Sequence, residues 1–518
     1  MIPALLSVII AFSLMATAVG NIVLTNLSVA ANLVKTEQAF NIAEAGINYY
    51  MWHLDYNSKD YQDGNTGGSI TSGLGYGPYT HQFVDQNGVD EGTFKLYINP
   101  PATLGSNVVT VTSIGQVNGT NFTRTIQASI GSKSFASFGV VSNSALWFGN
   151  TETADGPVFS NQGVRMDGPN TSTVTSANST YVPSYELGGD GVTSEPGVWC
   201  STTVTSPVDC STRSKSSWIY PASNIDFTQL NNTLCNLKII ALDNNSATSS
   251  YGSMSNACTQ TPSTLTTSYL PRRSFYSDQQ RGYLIMLNDN NTYDLYDVNN
   301  ENDTLTPYTS ALSLKVVSTQ NPIPSSGVIF AEDNVWVLSN PTFTGRVTIA
   351  AGRMTSSSLL TEADIVIAGP LVYTAKDGSD AIGLVAQNSV VLAPYAPPAS
   401  GAFNFEVDGA LMAINGDVWY PGSYRNNPYA CTMGWTNSDQ TFLFYGSVAT
   451  QQTWTWTWLD GTSPCGNAAL DPASGEYISG IENNTTEFDY NLEYNPPPNY
   501  PNIGGNSILS WREILTRP

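Results

Sequence analysis

Charge is scarce in this 518-residue chain: Asp, Glu, Lys and Arg make up 12% of it, against a usual share near 25%. Asn, Ser, Thr, Gly and Tyr fill that space, the palette of an extracellular β protein. Basic residues number 19 against 41 acidic ones, for a formal net charge of −22. No Lys/Arg cluster stands out, which excludes a nucleic-acid partner, because phosphate recognition needs clustered cations. The acidity reads as solubility. Histidine is nearly missing too. His53 and His81 are the only two, one on a predicted helix and one in a predicted loop, so neither a Ser-His-Asp nor a Cys-His arrangement is expected. GxSxG, Walker-type and HExxH motifs are absent. Nothing here predicts an enzyme or a required cofactor.

Six cysteines are present, none in a CxxC, so zinc ligation is not expected. An even count in a chain with export features reads as three disulfides. Of about fifteen possible connectivities, the shortest loops pair Cys200 with Cys210, Cys235 with Cys258 and Cys431 with Cys465. Sequons occur at Asn118, Asn121, Asn170, Asn178, Asn231, Asn244, Asn290, Asn302, Asn483 and Asn484, as candidate glycosylation sites.

Residues 1–34 carry no charge at all; the first is Lys35. Residues 1–24 are long enough to cross a bilayer, which takes about 20 apolar residues. A secretory signal would show a basic flank and a small-residue cleavage site. Neither is present, so a leader is expected to have been removed or never to have existed. Pro3 suits the first turn of a helix. Helical spacing then continues through Leu27, Ala31, Val34, Gln38, Ile42, Ala45, Tyr49 and Trp52. A helix to Leu54 would be about 80 Å long, so its second half must pack on a soluble domain. Phe40, Glu44, Gly46, Tyr49 and Trp52 are the expected packing residues.

The segment TEQAFNIAEAGINYYMWHL (36–54) resembles the shared helix region of PilX-type type IV pilins, with Glu44-Ala45-Gly46 as its most specific part. That resemblance implies removal of a leader by a prepilin peptidase, a methylated N-terminus at the residue numbered 1, and bundling of helices in a filament core. Met1, Leu5, Val8, Ile9, Ile10, Phe12, Leu14, Met15 and Gly20 would line that core. Most type IV pilins carry Glu at the fifth mature position; this chain has Leu5, which makes the core wholly apolar. In related filaments a patch like Gly20-Asn21 melts, and the same is expected here. The implied partners are further copies of the chain, the pilus assembly machinery and the membrane before assembly.

Residues 55–80 read as a loop or hinge. GTFKLYIN (92–99), NVVTVTSIGQV (107–117) and TRTIQASI (123–130) alternate apolar and polar residues and predict a small antiparallel sheet, with Asn118-Gly119 as a hairpin turn. From about residue 132 short apolar pulses recur at a spacing near twenty, with Val141-Ser142-Asn143 matching Phe159-Ser160-Asn161. They suggest a β-solenoid, and 327–420 and ILSWRE (508–513) resemble the head of PilX-like proteins. The insert 166–270 is expected to be disulfide-stapled loops, and no amphipathic helix is expected after residue 54. Residues 283–298 predict a hairpin around Asp289-Asn290-Asn291. The expected class is α+β, mainly β: a helix (1–54), a linker and sheet (55–131), and a β-rich head (132–518).

Three functions compete. The first is a structural filament subunit displaying a large head on the cell surface. The second is a minor or tip subunit for adhesion, for which TWTWTW (453–458), Trp419, Tyr420 and Tyr424 could supply an aromatic platform. A calcium site at Asp289, Asn290, Asp294 and Asp303 would serve the same role. The third is a membrane-anchored β-helix acting on polysaccharide through Asp377, Asp380, Asp408 and Asp417. Solvated turn acids explain those four better, since each stands beside Gly or Ser or at an apparent corner.

Overall fold

The computed structural model describes the chain except residues 1, 58–59, 102–105, 107, 151, 185–186, 202–208, 229, 244–257, 260–261, 274–281, 303–304, 306, 355–361, 398–402, 421–439, 460–477, 482 and 515–518. It has two compact units. One holds residues 1–102, 107–132 and 504–518, the other 103–106 and 133–503. The expected class is observed: a long N-terminal helix, an antiparallel sheet and a large β-rich region with parallel sheets.

In the first unit, helix α1 (Ile2–Tyr56) runs 55 residues without a break, straight through Gly20-Asn21, the patch expected to melt. Its C-terminal third lies on a six-stranded sheet. The sheet is larger than the three expected strands, because Ile70–Thr71 and Gly75–Val84 fall where the composition predicts a loop. Asp90–Asn99, Val109–Val117 and Thr123–Ser134 follow as antiparallel neighbours, and Gly119 takes the positive φ of the predicted hairpin turn. The sixth strand is Asn502–Ile514 at the far end of the chain. It is held beside Thr123–Ser134 by Arg124 on Glu513 and by Arg512 on Gln127 at 2.8 Å.

The second unit winds between two sheets. One contains eleven strands, in the order Trp218–Ile219, Val174–Ser176, Val158–Ser160, Val140–Ser142, Gln440–Thr450, Phe403–Ala413, Ala381–Ala386, Arg346–Ala351, Val328–Ala331 and Tyr269–Leu270, with Asn484–Phe488 beside Gln440–Thr450. Every pairing is parallel. Between successive strands the chain visits the partner sheet at Asn334–Asn340, Ile365–Ile367, Val390–Leu392, Val418–Trp419 and Trp454–Thr455, also parallel. The predicted hairpin, Gly282–Asn288 with Thr292–Glu301, borders that sheet.

Spatial order is not chain order. Val140–Ser142, the first strand of the winding, stacks on Gln440–Thr450, nearly the last, so the chain enters the spiral in its middle. The side-chain columns cross that seam without interruption. Ile329, Ile349, Leu384, Leu411, Val448, Val140, Val158 and Val174 occupy one register line and all are buried. The predicted match of Ser142 with Ser160 is a true register pair, and Asn161 donates to Asn143 at 2.6 Å on the corner.

Both faces of Val328–Ala331, Arg346–Ala351 and Ala381–Ala386 in the eleven-stranded sheet are buried, which is why these strands read as near-continuous apolar runs. Helix α2 (Leu230–Asp243) covers part of the outer face through Leu234, Leu237 and Ala241. This corrects the expectation of loops only in the insert. The amphipathic spacing of Leu230, Leu234, Leu237 and Ala241 was the available signal. Disulfides Cys200–Cys210 and Cys235–Cys258 form; Cys431 and Cys465 lie outside the described residues.

Candidate assembly surface

From Ile2 to Val34 the described residues of α1 are exposed. Leu5 is 66% exposed and Phe12 74%; Val8, Ile9, Ile10, Leu14 and Met15 are exposed with them, while Met1 lies outside the described residues. The helix contains a window of mean hydropathy 2.1, long and apolar enough to cross a membrane by length and composition. Its hydroxyls do not spoil that surface. Ser13 donates to the Ile10 carbonyl at 2.9 Å, Thr17 to Ser13 at 2.7 Å and Thr25 to Asn21 at 2.7 Å. The hydroxyl protons of these three are thereby satisfied inside the helix, as an apolar environment demands. Gly20 has open space where a Cβ would stand.

The sheet covers the helix only beyond Lys35. Ala39, Ile42, Ala43, Gly46, Ile47, Tyr50 and Leu54 face it, a stripe rotated from the predicted one. Glu44 and Trp52, expected to pack, are on the outer side, with Trp52 63% exposed and stacked on Tyr56. The reason is the size of the contact residues. A Cβ on Gly115 would overlap the Ala39 carbonyl and the Ala43 nitrogen, and one on Gly46 would overlap Ser113 Oγ and the Phe94 ring. Backbones approach closely where side chains are smallest, and that selects the Ala-Gly face. Phe40 is half-buried, edge-on to Trp511 at 6.2 Å, and Tyr49 is half-buried against Phe94.

Both histidines hold the segment after the helix. His53 meets Asp60 at 3.0 Å and His81 meets Asp63 at 2.6 Å, with the Tyr49 hydroxyl on Asp63 at 3.1 Å. Burial works to raise the Asp60 carboxyl. The N–H groups of Gln62 and Gly64 and the His53 imidazole outweigh it and hold that carboxyl below its ordinary value. A depressed carboxylate stabilises the fold above the unfolded value near 4 and loses that contribution as pH falls through the folded one. Acidification to below about pH 4 should therefore shift the Gln62 and Gly64 amide resonances towards those of an Asp60→Ala variant. Resonances that stay put would contradict it.

The other predicted sites do not assemble as expected. Asp377 caps Ser379, Asp380 accepts from Gly345 and Ala375, and Asp417 accepts from Thr453. Asp380 and Asp408 are buried, not solvated, because their carboxylates bind backbone N–H groups in the rungs. At the calcium candidate, the Asp294 carboxylate accepts from Gln320 N–H at 2.7 Å; no group of three His, Cys, Asp or Glu side chains that could hold a metal occurs among the described residues, and Asp303 is outside them. Of the aromatic platform, Trp456 and Tyr420 are buried, Trp419 and Trp454 are half-buried, and the Trp458 side chain and Tyr424 are not described. Among the sequons, Asn118 and Asn302 are exposed, and Asn170 is tied to Ser217 and Asn178 to Gln162. Asn483 is half-buried; the Asn231 side chain and Asn244 lie outside the description.

No protein-family model and no curated protein matches the chain. Among solved structures, it aligns with the competence-associated pilin ComZ from Thermus thermophilus at 13% identity and a TM-score of 0.27, covering 93% of this chain and 98% of that one. Overlap of that quality does not match the two folds in detail, so the reading of this chain rests on its own residues.

Proposed function

We propose that the chain is a type IV pilin-like subunit that is held in a membrane by α1, then polymerises through it into an extracellular filament and displays a β-solenoid head. The observation that carries this is the charge-free, predominantly apolar helical surface of residues 2–34, exposed in the described structure. A membrane anchor alone needs about 20 such residues. The remaining turns require another apolar cover, and further copies of the same helix supply it. Leu5 in place of an acid fits a core held by packing and exclusion of water, since lipid already solvates apolar side chains. The prepilin peptidase and the pilus assembly machinery are the partners this reading adds.

Ile10→Lys tests it. A lysine in a membrane span costs about 3 kcal/mol, which so long an apolar run tolerates. In a closed helical bundle the same charge has neither water nor a partner, and the penalty is several kcal/mol per copy. Membrane fractions should therefore hold normal amounts of the variant, while electron microscopy of sheared cell-surface material shows its filaments lost. Wild-type cells without filaments containing this chain would refute the proposal.

A further inference from the structure

We propose that Lys376 and Asp408 are joined by an intramolecular amide bond that the protein forms by itself, with Glu406 as the proton acceptor. The three groups meet on the outer face of the eleven-stranded sheet. Glu406 and Asp408 stand two residues apart on the strand Phe403–Ala413, on the side shared with Ala410 and Met412. Lys376, from the turn after Tyr373, brings its Nζ to 2.6 Å from Glu406 Oε1 and 3.3 Å from Asp408 Oδ1.

The geometry separates three roles. Asp408 has no exposed side-chain surface. Its Oδ2 accepts from the Tyr373 N–H at 2.8 Å, whereas Oδ1 accepts no hydrogen bond and lies 3.3 Å from the lysine Nζ, with the Glu406 side chain also close to this carboxyl. Oδ2 is thus the oxygen the protein retains and Oδ1 the one free to leave. Tyr445, directly opposite Asp408 in the register, lays its ring 4.1 Å from Nζ and is fixed by its hydroxyl on Asp489 at 2.9 Å. Burial, with Glu406 adding its charge, pushes the Asp408 carboxyl up to about 7, so at neutral pH it spends much of its time as the uncharged acid an amine can attack. Burial works to lower Lys376, but Glu406 and Asp408 outweigh it and keep the amine protonated. A base in contact is therefore required, and Glu406 is that base.

The step balances without any oxidant or co-reactant. Glu406 removes one proton from the ammonium and passes it to solvent. The nitrogen lone pair attacks Asp408 Cγ, forming the C–N bond. The Cγ–Oδ1 bond then breaks, and the hydroxyl leaves with a second amine hydrogen as water. Fixed contact between the reacting groups replaces a bimolecular encounter, which is worth many orders of magnitude in rate. Lys376 is 36% exposed, so the water has an exit. The product would clip the turn after Tyr373 to the neighbouring rung.

Mass spectrometry of the reduced, full-length protein decides it. The expected result is a mass lower by one water than the sequence requires, with a branched proteolytic peptide in which Lys376 is uncut and linked to Asp408. Lys376→Arg and Glu406→Gln should each restore the full mass; the second keeps both reacting groups and removes only the base. A full mass in the wild type overturns the proposal. So does a water loss confined to the Asp408-Gly409 peptide and opened by hydroxylamine, which would be a succinimide. A cross-link surviving in Glu406→Gln would overturn the role of Glu406.

Discussion

A chain lacking residues 1–34 is expected to be a water-soluble monomer with the β structure and thermal transitions of the full protein. Seventeen large apolar side chains of this stretch are exposed among the described residues. Covering each contributes about 1–2 kcal/mol when roughly 60% of its surface is free, so the stretch as a whole holds on the order of 20 kcal/mol of unrealised hydrophobic energy. None of it comes from the sheet that the helix rests on, since burial begins only at the Lys35–Ala39 turn. Its removal should therefore lower the far-ultraviolet helical signal only by the share of the helical residues removed, and leave the melting temperature nearly unchanged. Sedimentation should move from a detergent-bound or polymeric species to a single subunit. A truncated chain that aggregates or unfolds would show that these residues support the rest of the fold, and the assembly argument would lose its basis. A finer variant makes the same point. Gly20→Ala meets no neighbour within the subunit and should slightly favour the helix, by about 1 kcal/mol, so any harm it does must appear only between copies.

Much of what depends on local spacing was legible in the sequence, although the helix Leu230–Asp243 and the strand Gly75–Val84 were not expected. The apolar N-terminal run, the hairpin around Asp289-Asn290-Asn291, the Ser142–Ser160 repeat and the short apolar pulses of the winding all follow from periods readable within a few tens of residues. In that hairpin turn Asn291 takes a φ of 60°, a conformation that asparagine tolerates better than most residues. What depended on distant partners was not legible. Nothing near Asn502–Ile514 announces a strand that pairs with Thr123–Ser134, and nothing near Val140 says that its neighbour is Val448. Lys376 lies about thirty residues before Glu406 with no motif joining them; only the stacking of rungs brings them to 2.6 Å. The buried stripe of the helix departs from the predicted one for a related reason. Side-chain size on the covering sheet, not apolarity along the helix, chose the buried face, so Trp52 lost to Gly46 and Ala43.

That choice of face yields the second large effect. Gly115→Val is expected to unfold the helix-bearing unit at a markedly lower temperature while the β-rich unit melts as before. Gly115 stands on the strand Val109–Val117, under the helix backbone at Ala39 and Ala43, where any Cβ overlaps main-chain atoms. Main chain in the middle of a helix cannot swing aside as a flexible side chain can. The helix must lift by the width of a methyl group, which opens gaps around Ile42, Ile47 and Tyr50 and costs about 3 kcal/mol or more. For a unit of this size that corresponds to a shift on the order of 10 °C. Gly119→Ala is the matched control: it strains a positive φ of 66° but meets nothing within 4 Å, so its cost should stay near 1 kcal/mol, roughly that of an alanine at a positive φ. Differential scanning calorimetry on the chain lacking residues 1–34 reads both variants without interference from the apolar rod. Equal shifts for the two would mean that the helix does not rest on the Ala39–Ala43–Gly46 face. An early transition in Gly115→Val alone would establish close backbone approach as the contact that fixes the helix on its sheet.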